Sequence, residues 1–298
     1  WDGLDPAVAE GFAGWQALDA PAERSTGAAR ALAVRHVRAP VVVFAEDHCF
    51  PEPDWAASLL AAHGERVAVV GPTVANANPA TATSWADFFL NFGPYTDHAE
   101  RADRGHVAWH NGAYRREVLL DCGGDLPRLL EVEGLLHERL RERGLELVQE
   151  PEARVRHLNF SRPAWMLVQQ FVNGRQFGAA RSEAWSPLRR LAHAAVWPAA
   201  AARQYGRVMR EVRRAGRQRE VGPRAFPILA LALATNGLGL AAGYAFGLGR
   251  TNAYKYEMEF DRRRFMTRRE RAAAPPDFRG RPAPDAPPVP ESPNRASL

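Results

Sequence analysis

Three consecutive side chains, Glu46, Asp47 and His48, could do chemistry together. Two carboxylates and an imidazole are hard-to-borderline ligands, suited to a divalent cation that holds a phosphate. They follow Val41-Val42-Val43-Phe44, an apolar run with three β-branched residues. Such a run reads as a strand buried on both faces, the central parallel strand of an α/β sheet. Open α/β sheets place ligands at the carboxyl ends of their strands, which is where these three groups fall. The competing reading is a solvated turn opening the next helix, because Pro51, Pro53 and Asp54 follow as turn and N-cap residues. A second carboxylate, Glu133, lies on a helix whose buried face is set by Leu129, Val132, Leu136 and Leu140. Carried on the rim of that face, it is a candidate general base, since an inward carboxylate at a cleft tends to have a raised pKa. Its alternative is a salt bridge to a neighbouring arginine. Glu131 and Glu138 point the other way, and Glu131 is expected to be solvated. His157, at a strand end, is either structural or a further metal or phosphate ligand beside Glu46 and His48.

The elements that must position these groups alternate. Gly27 to Val37 is rich in helix formers, and Asp54 to His63 reads as a helix capped by Asp54 and ended at Gly64. Val67 to Val70 is a short buried strand stopped by Gly71-Pro72. Helix, strand, helix, strand argues for βαβ units and a parallel sheet. Residues 1–24 read as a loop with a short strand near Trp15 to Leu18. From Thr73 to His110 the alternation fades into a loop-heavy insertion bearing Trp85, Phe88, Phe89, Phe92, Tyr95 and Trp109. These aromatics form either a satellite core or the stacking wall of a sugar or lipid site. Asn111 to Arg116 resumes with a Gly turn and a short helix, and one helix is expected over Pro127 to Arg143, closed by Gly144. Leu145 to Val148 and Ala153 to Val155 are expected as two short strands.

Taken in order, these positions resemble the bacterial family-2 glycosyltransferases of GT-A fold. The resemblance rests on Arg30, Glu46-Asp47-His48, Pro51-Glu52-Pro53-Asp54-Trp55, Asn111, Arg115-Arg116, Gly123-Gly124, Glu133 with Arg139-Leu140 and Gly144, and His157, over about residues 20–190. It implies a GT-A-like (Rossmann-like) α/β fold with a mixed, mostly parallel sheet flanked by helices. It also implies a nucleotide-sugar donor, a divalent metal (Mn2+ or Mg2+) and an inverting transfer to a glycan or lipid-linked acceptor. Metal contacts would come from Glu46, Asp47, His48 and His157, with Glu133 as base. Arg30, Glu46, Asp47 and Asn111 would contact the donor, and Arg175, Arg181 and Trp185 would close a basic, aromatic lid over the diphosphate or lie on a solvated helix face. The chain departs from the family in two places: the usual Asp-x-Asp is Glu46-Asp47-His48, and the usual Glu-Asp pair is Val132-Glu133. The family's first strand, ending in an Asp that holds the nucleobase, has no counterpart after Trp1, so the true N-terminus and part of the donor site are expected to be missing. The alternatives are a degenerate protein that binds sugar nucleotides without catalysis, and a nucleotidyltransferase of similar fold.

The remainder is basic. The 298 residues carry a formal charge of +5, and the basic residues crowd into the second half, which suggests phosphate-rich partners such as nucleotides or an anionic membrane surface. No zinc-finger or RNA-binding signature supports nucleic acid as a partner. Two cysteines suit a reducing compartment. The organisation expected is a transferase domain over 1–185, a basic amphipathic helical region over 186–225 and a hydrophobic membrane-associated or transmembrane segment over 226–250. A basic juxtamembrane segment over 251–271 and a disordered Pro-rich tail over 272–298 complete it. Phe226 to Leu248 holds 23 residues without a charge, where a span needs roughly 20. Gly239, Gly243 and Gly247 recur every four residues, a groove for close helix packing. With this composition, the resemblance implies a membrane-associated enzyme at the cytoplasmic face of the bacterial inner membrane.

Overall fold

The computed structural model describes residues 14, 16–19, 24–96, 100–108, 110–260 and 265–268. Trp15, Trp109, the basic residues Arg262 to Arg264, Arg269 and Arg271, and the Pro-rich tail lie outside the described residues. Gln16 to Leu18, expected as a strand, carry none.

Six strands form one mixed sheet: β1 (Val41–Val43), β2 (Cys49–Pro51), β3 (Val67–Asn76), β4 (Ala102–Asp103), β5 (Ala113–Arg115) and β6 (Glu146–His157). The order is β1-β5-β3-β6-β2, with β4 also paired to β6. Parallel pairing joins the two longest strands, β3 and β6, and the four other pairings are antiparallel. The Val41 run is therefore not the central strand. Among the described residues it pairs only with β5, and only Val42 is buried. The centre belongs to β3, which runs on through Gly71-Pro72 to Asn76 instead of stopping there. Gly71 lets it do so, because a Cβ there would lie 2.9 Å from the backbone of Ala108. Pro72 sits at a register shift, and its carbonyl accepts a hydrogen bond from Gln149 Nε2 at 2.7 Å. The same irregularity lets β6 run unbroken where two short strands were expected.

Twelve helices are described: α1 (Thr26–His36), α2 (Trp55–Ala61), α3 (Ala82–Phe92), α4 (Arg116–Leu120), α5 (Leu126–Glu131), α6 (Glu133–Glu142), α7 (Pro163–Arg181), α8 (Pro187–Ala195), α9 (Trp197–Arg214), α10 (Gln218–Val221), α11 (Ala225–Phe246) and α12 (Thr251–Phe260). The loop-heavy insertion is in large part helix α3, started by a Thr81 side-chain cap on Ser84 N. Trp85, Phe88, Phe89, Phe92 and Tyr95 are all buried, so the core reading of these aromatics holds. That core is continuous across residue 185, taking in Val74 and Phe160 together with Val208, Leu229 and Met258.

The expected helix over 127–143 is two helices broken at Val132, whose backbone sits at φ −133 and ψ 75. Glu131, expected in solvent, is the reason: its carboxylate is drawn inward to the start of α1. Gly27 permits this approach, because a Cβ there would stand 2.6 Å from Glu131 N.

Helices α7 and α11 meet backbone to backbone. A Cβ on Gly174 would strike the carbonyl of Asn236, on Gly178 that of Leu240, on Gly239 that of Phe171 and on Gly243 that of Arg175. The four-residue glycine spacing expected on α11 thus has a matching pair on α7, while Gly247 ends the helix at φ 72. Gly174→Ala or Gly239→Ala is expected to lower stability by about 3 kcal/mol, since a backbone carbonyl must move. Gly206→Ala on α9, where the nearest atom is 3.9 Å away in a flexible arginine, should instead raise it by about 0.5–1 kcal/mol through helix propensity. Chemical denaturation of the three variants checks both signs.

Candidate active site

The end of β1 carries Glu46 inward. Asn111 holds it there: its backbone N–H donates to Phe44 O at 3.0 Å and its side-chain Oδ1 accepts from Glu46 N at 3.3 Å. Asn111 does this from the left-handed region, φ 60, which asparagine tolerates better than most residues. Pairing of β2 with β6 sets Cys49 opposite His157, and so brings His48 beside His157, ring centroids 5.0 Å apart. Glu46 Oε2 lies 3.7 Å from Nε2 of each histidine. Each ring is fixed from behind, His48 Nδ1 by Asp47 Oδ1 at 2.8 Å and His157 Nδ1 by Asn159 Oδ1 at 2.9 Å. Outer contacts of this kind orient imidazoles that bind metals. One donor atom each from Glu46, His48 and His157 fall within 4.8 Å of one another. His110 Nδ1 pairs with the other Glu46 oxygen, and Glu259 Oε2 on α12 stands 3.8 Å from His48 Nε2. Burial alone would raise the Glu46 pKa, but His110, His48 and His157 outweigh it and hold the carboxyl well below the usual glutamate range. Asp47 itself is 69% exposed, so it faces solvent with one oxygen on the His48 ring.

Arg30, on α1, forms a close ion pair with Glu133 and lies 5.6 Å over the Phe44 ring. Burial alone would lower its pKa, yet Glu133, then Glu46, Glu259 and Glu131, raise it. Glu133 opens α6, where the positive end of the helix favours a carboxylate. Of the two readings of Glu133, the salt bridge to an arginine is the one present, and it sets the candidate base in the same charged cluster as Glu46.

Glu131 is only 5% exposed. Its carboxylate accepts from Ser25 Oγ at 2.6 Å, Gly27 N at 2.8 Å, Thr26 Oγ1 at 3.0 Å and Gln176 Nε2 at 3.0 Å, with Lys255 Nζ 3.7 Å away. It thereby binds the first turn of α1, the helix that carries Arg30, to α7 and α12. Burial would raise its pKa, but Lys255 and these donors lower it below the ordinary 4.5. Deeper in the core, Tyr114 Oη and His137 Nε2 are 3.1 Å apart, and burial, assisted by His106, pushes the His137 pKa down to about 3.

The structure gathers Arg30, Glu46, Asp47, His48, Asn111, Glu133 and His157. It engages the expected lid residues elsewhere. Arg175 Nε donates to Gly247 O at 2.9 Å, Arg181 lies over Phe177, and Trp185 stacks on Tyr244 at 5.5 Å with Arg189 above it. Sequence reasoning missed His110, Asn159 and Glu259. His110 directly precedes the singled-out Asn111, and Asn159 follows His157 by two, so proximity could have found them. Glu259 lies in a stretch read as basic and had no such signal.

Two predictions follow from the buried charges. Glu131→Ala leaves several buried donors without an acceptor and should cost about 3 kcal/mol or more, read by denaturant unfolding. Because the Glu131 pKa is lowered on folding, its contribution is present above about pH 4.5 and lost as pH falls through the folded value. His137 must stay neutral to stay buried, so stability should fall as pH drops below about 6.5, by about 1.4 kcal/mol per unit at most, towards pH 3. His137→Gln should flatten that slope in melts taken across the range.

Residues 6–123 match the family model described as Glycosyl transferase family 2. That span includes α1, β1 to β5, Arg30, Glu46, His48 and Asn111. Neither a search of curated proteins nor one of solved structures returned a match. The match over residues 6–123, with the mixed sheet and flanking helices of a GT-A-like fold, supports a family-2 glycosyltransferase.

Proposed function

We propose that the chain transfers a sugar, with inversion, from a nucleotide-sugar donor to a hydroxyl of a glycan or lipid-linked acceptor. The observation that carries this is the buried Glu46/His48/His157 donor set beside the Arg30–Glu133 ion pair, within a family-2 domain. The donor set fits a divalent cation: a carboxylate held ionised, and two imidazoles turned toward it by Asp47 and Asn159. Two nitrogens and an oxygen favour Mn2+ or another borderline ion over Mg2+, which prefers all-oxygen sites. A cation bound there would offset charge on the departing nucleoside diphosphate.

The side chains divide the remaining work. The donor diphosphate competes with Glu133 for Arg30, and an Arg fork suits phosphate as well as carboxylate. Released from Arg30, Glu133 accepts the proton of the acceptor hydroxyl as that oxygen bonds to the anomeric carbon. The bond from that carbon to the diphosphate breaks, its electron pair leaving with the phosphate oxygen. Asn111 acts as a positioning residue, keeping Glu46 at the end of β1. The cytoplasmic face of the bacterial inner membrane is the proposed place of action.

A second reading, sugar-nucleotide binding without catalysis, is favoured by the engagement of Glu133 with Arg30 and the solvent exposure of Asp47. Calorimetric titration with nucleoside diphosphates, with manganese and with chelator, tests the site. Metal-dependent binding of one diphosphate is expected, weakened at least about tenfold in Glu46→Ala. Glu133→Gln should keep that binding while turnover of the matching nucleotide-sugar falls by about 10²-fold or more. Turnover near the parent rate in Glu133→Gln would sink the base assignment. Binding without turnover in the parent protein would favour the second reading.

A further inference from the structure

Helix α11 has two faces. Leu229, Ala232, Leu233, Gly237, Gly239 and Gly243 are buried against α7 and its neighbours. The opposite stripe is apolar apart from Thr235, whose hydroxyl donates back to Leu231 O at 2.9 Å: Pro227, Leu231 and Leu238 are exposed and Ala234, Ala242 and Ala245 partly so, and the whole helix carries no charged residue. A helix on the surface of a water-soluble fold ordinarily turns polar residues outward. Beside α11 lies α8, joined to it by Arg190 Nε donating to Tyr244 O at 2.6 Å and by the His193 ring 5.7 Å from that of Tyr244. On α8 Leu188 is 79% exposed and Leu191 59%, and at the end of α11 Phe246 is 80% exposed. The start of α9, Trp197 to Ala202, continues the surface without a charge.

The charges within the segments that form this face have one sign. Residues 184–210 hold Arg189, Arg190, Arg203, Arg207 and Arg210 and no acid, and residues 221–254 hold Arg224 and Arg250 and no acid. Exposed apolar side chains in segments whose only charges are cations are complementary to an anionic bilayer, whose headgroups take the arginines while its acyl region takes the leucines. Helix α11 is long and apolar enough to cross a membrane, but its glycine face is held backbone to backbone on α7. Helix α7 buries Gln169, Gln170 and Gln176, and Gln176 is bonded to Glu131. A crossing would carry those polar groups into hydrocarbon.

We propose that α8, the start of α9 and the outer stripe of α11 form one in-plane face that seats the enzyme on an anionic membrane surface, without spanning it. The proposal concerns attachment and stands whether or not the catalytic reading does. Co-sedimentation of the full chain with phosphatidylcholine vesicles, with and without phosphatidylglycerol, tests it. Binding is expected only to the anionic vesicles, with release by alkaline carbonate. Leu188→Glu/Leu191→Glu and Leu231→Glu/Leu238→Glu should each weaken it at least about tenfold at an unchanged melting temperature. The α8 pair, exposed on a short helix, keeps the test valid should the α11 pair misfold. Absence of vesicle binding, or binding indifferent to the α8 substitutions, would overturn the proposal. Resistance to carbonate would overturn it in favour of a span. A dimer in solution that the substitutions dissociate, with no vesicle binding, would assign the face to a second copy of the chain.

Discussion

The carboxylate of Glu131 is the constraint on which the half of the molecule that holds the candidate site depends. Four hydrogen bonds converge on it from the first turn of α1 and from Gln176 on α7, and Lys255 of α12 adds a charge and a bond to the Glu131 backbone carbonyl at 2.9 Å. A buried carboxylate of this kind is tolerable only when its lone pairs are all met. Meeting them breaks the helix at Val132, and the break turns Glu133 into the opening residue of α6. The same bonds fix the start of α1 and, one turn on, Arg30. One solvent-excluded anion thus positions both members of the Arg30–Glu133 pair without touching either.

The candidate site itself is a balance of buried charge. Glu46, Glu133 and Glu259 face Arg30 and a group of three imidazoles, and no carboxylate among them is far from a cation or an imidazole. Groups drawn from α1, β1, the loop at His110, β6, α6 and α12 meet there. The matched family region supplies Arg30, Glu46, His48 and His110, while Glu133, His157 and Glu259 come from beyond residue 123. A low-dielectric, prearranged cluster of this sort strengthens each electrostatic contact with an incoming anion.

Much of this was legible in the sequence, and the failures share a cause. Glu46, His48 and His157 were marked by their place at strand ends, Asn111 by its place in the family-like order, and the α11 glycines by their spacing. The order of strands was not legible, because a three-residue β-branched run looks the same at the edge as at the centre. Glu131 was misjudged because helical periodicity assumes an unbroken helix, and the break is imposed by partners more than 100 residues away in the chain. Glu259 is a contact between the last described helix and the first turn of the site, and no local pattern encodes it. Arg175 and Trp185 were read from family order, whereas their partners, Gly247 and Tyr244, lie on a helix that the order does not cover.

The glycine crossing of α7 and α11 also bears on how the chain reaches this state. Its partners are separated by some 60 residues, Gly174 meeting Asn236 and Gly178 meeting Leu240, so the contact closes a long loop and forms only after much of the chain is made. Until then the glycine stripe of α11 lacks its cover, and that apolar surface is open to self-association. A nearby lipid surface would shield one stripe during that interval and leave the glycine stripe clear for α7. Assembly at a bilayer would then be a condition of efficient folding as well as of attachment.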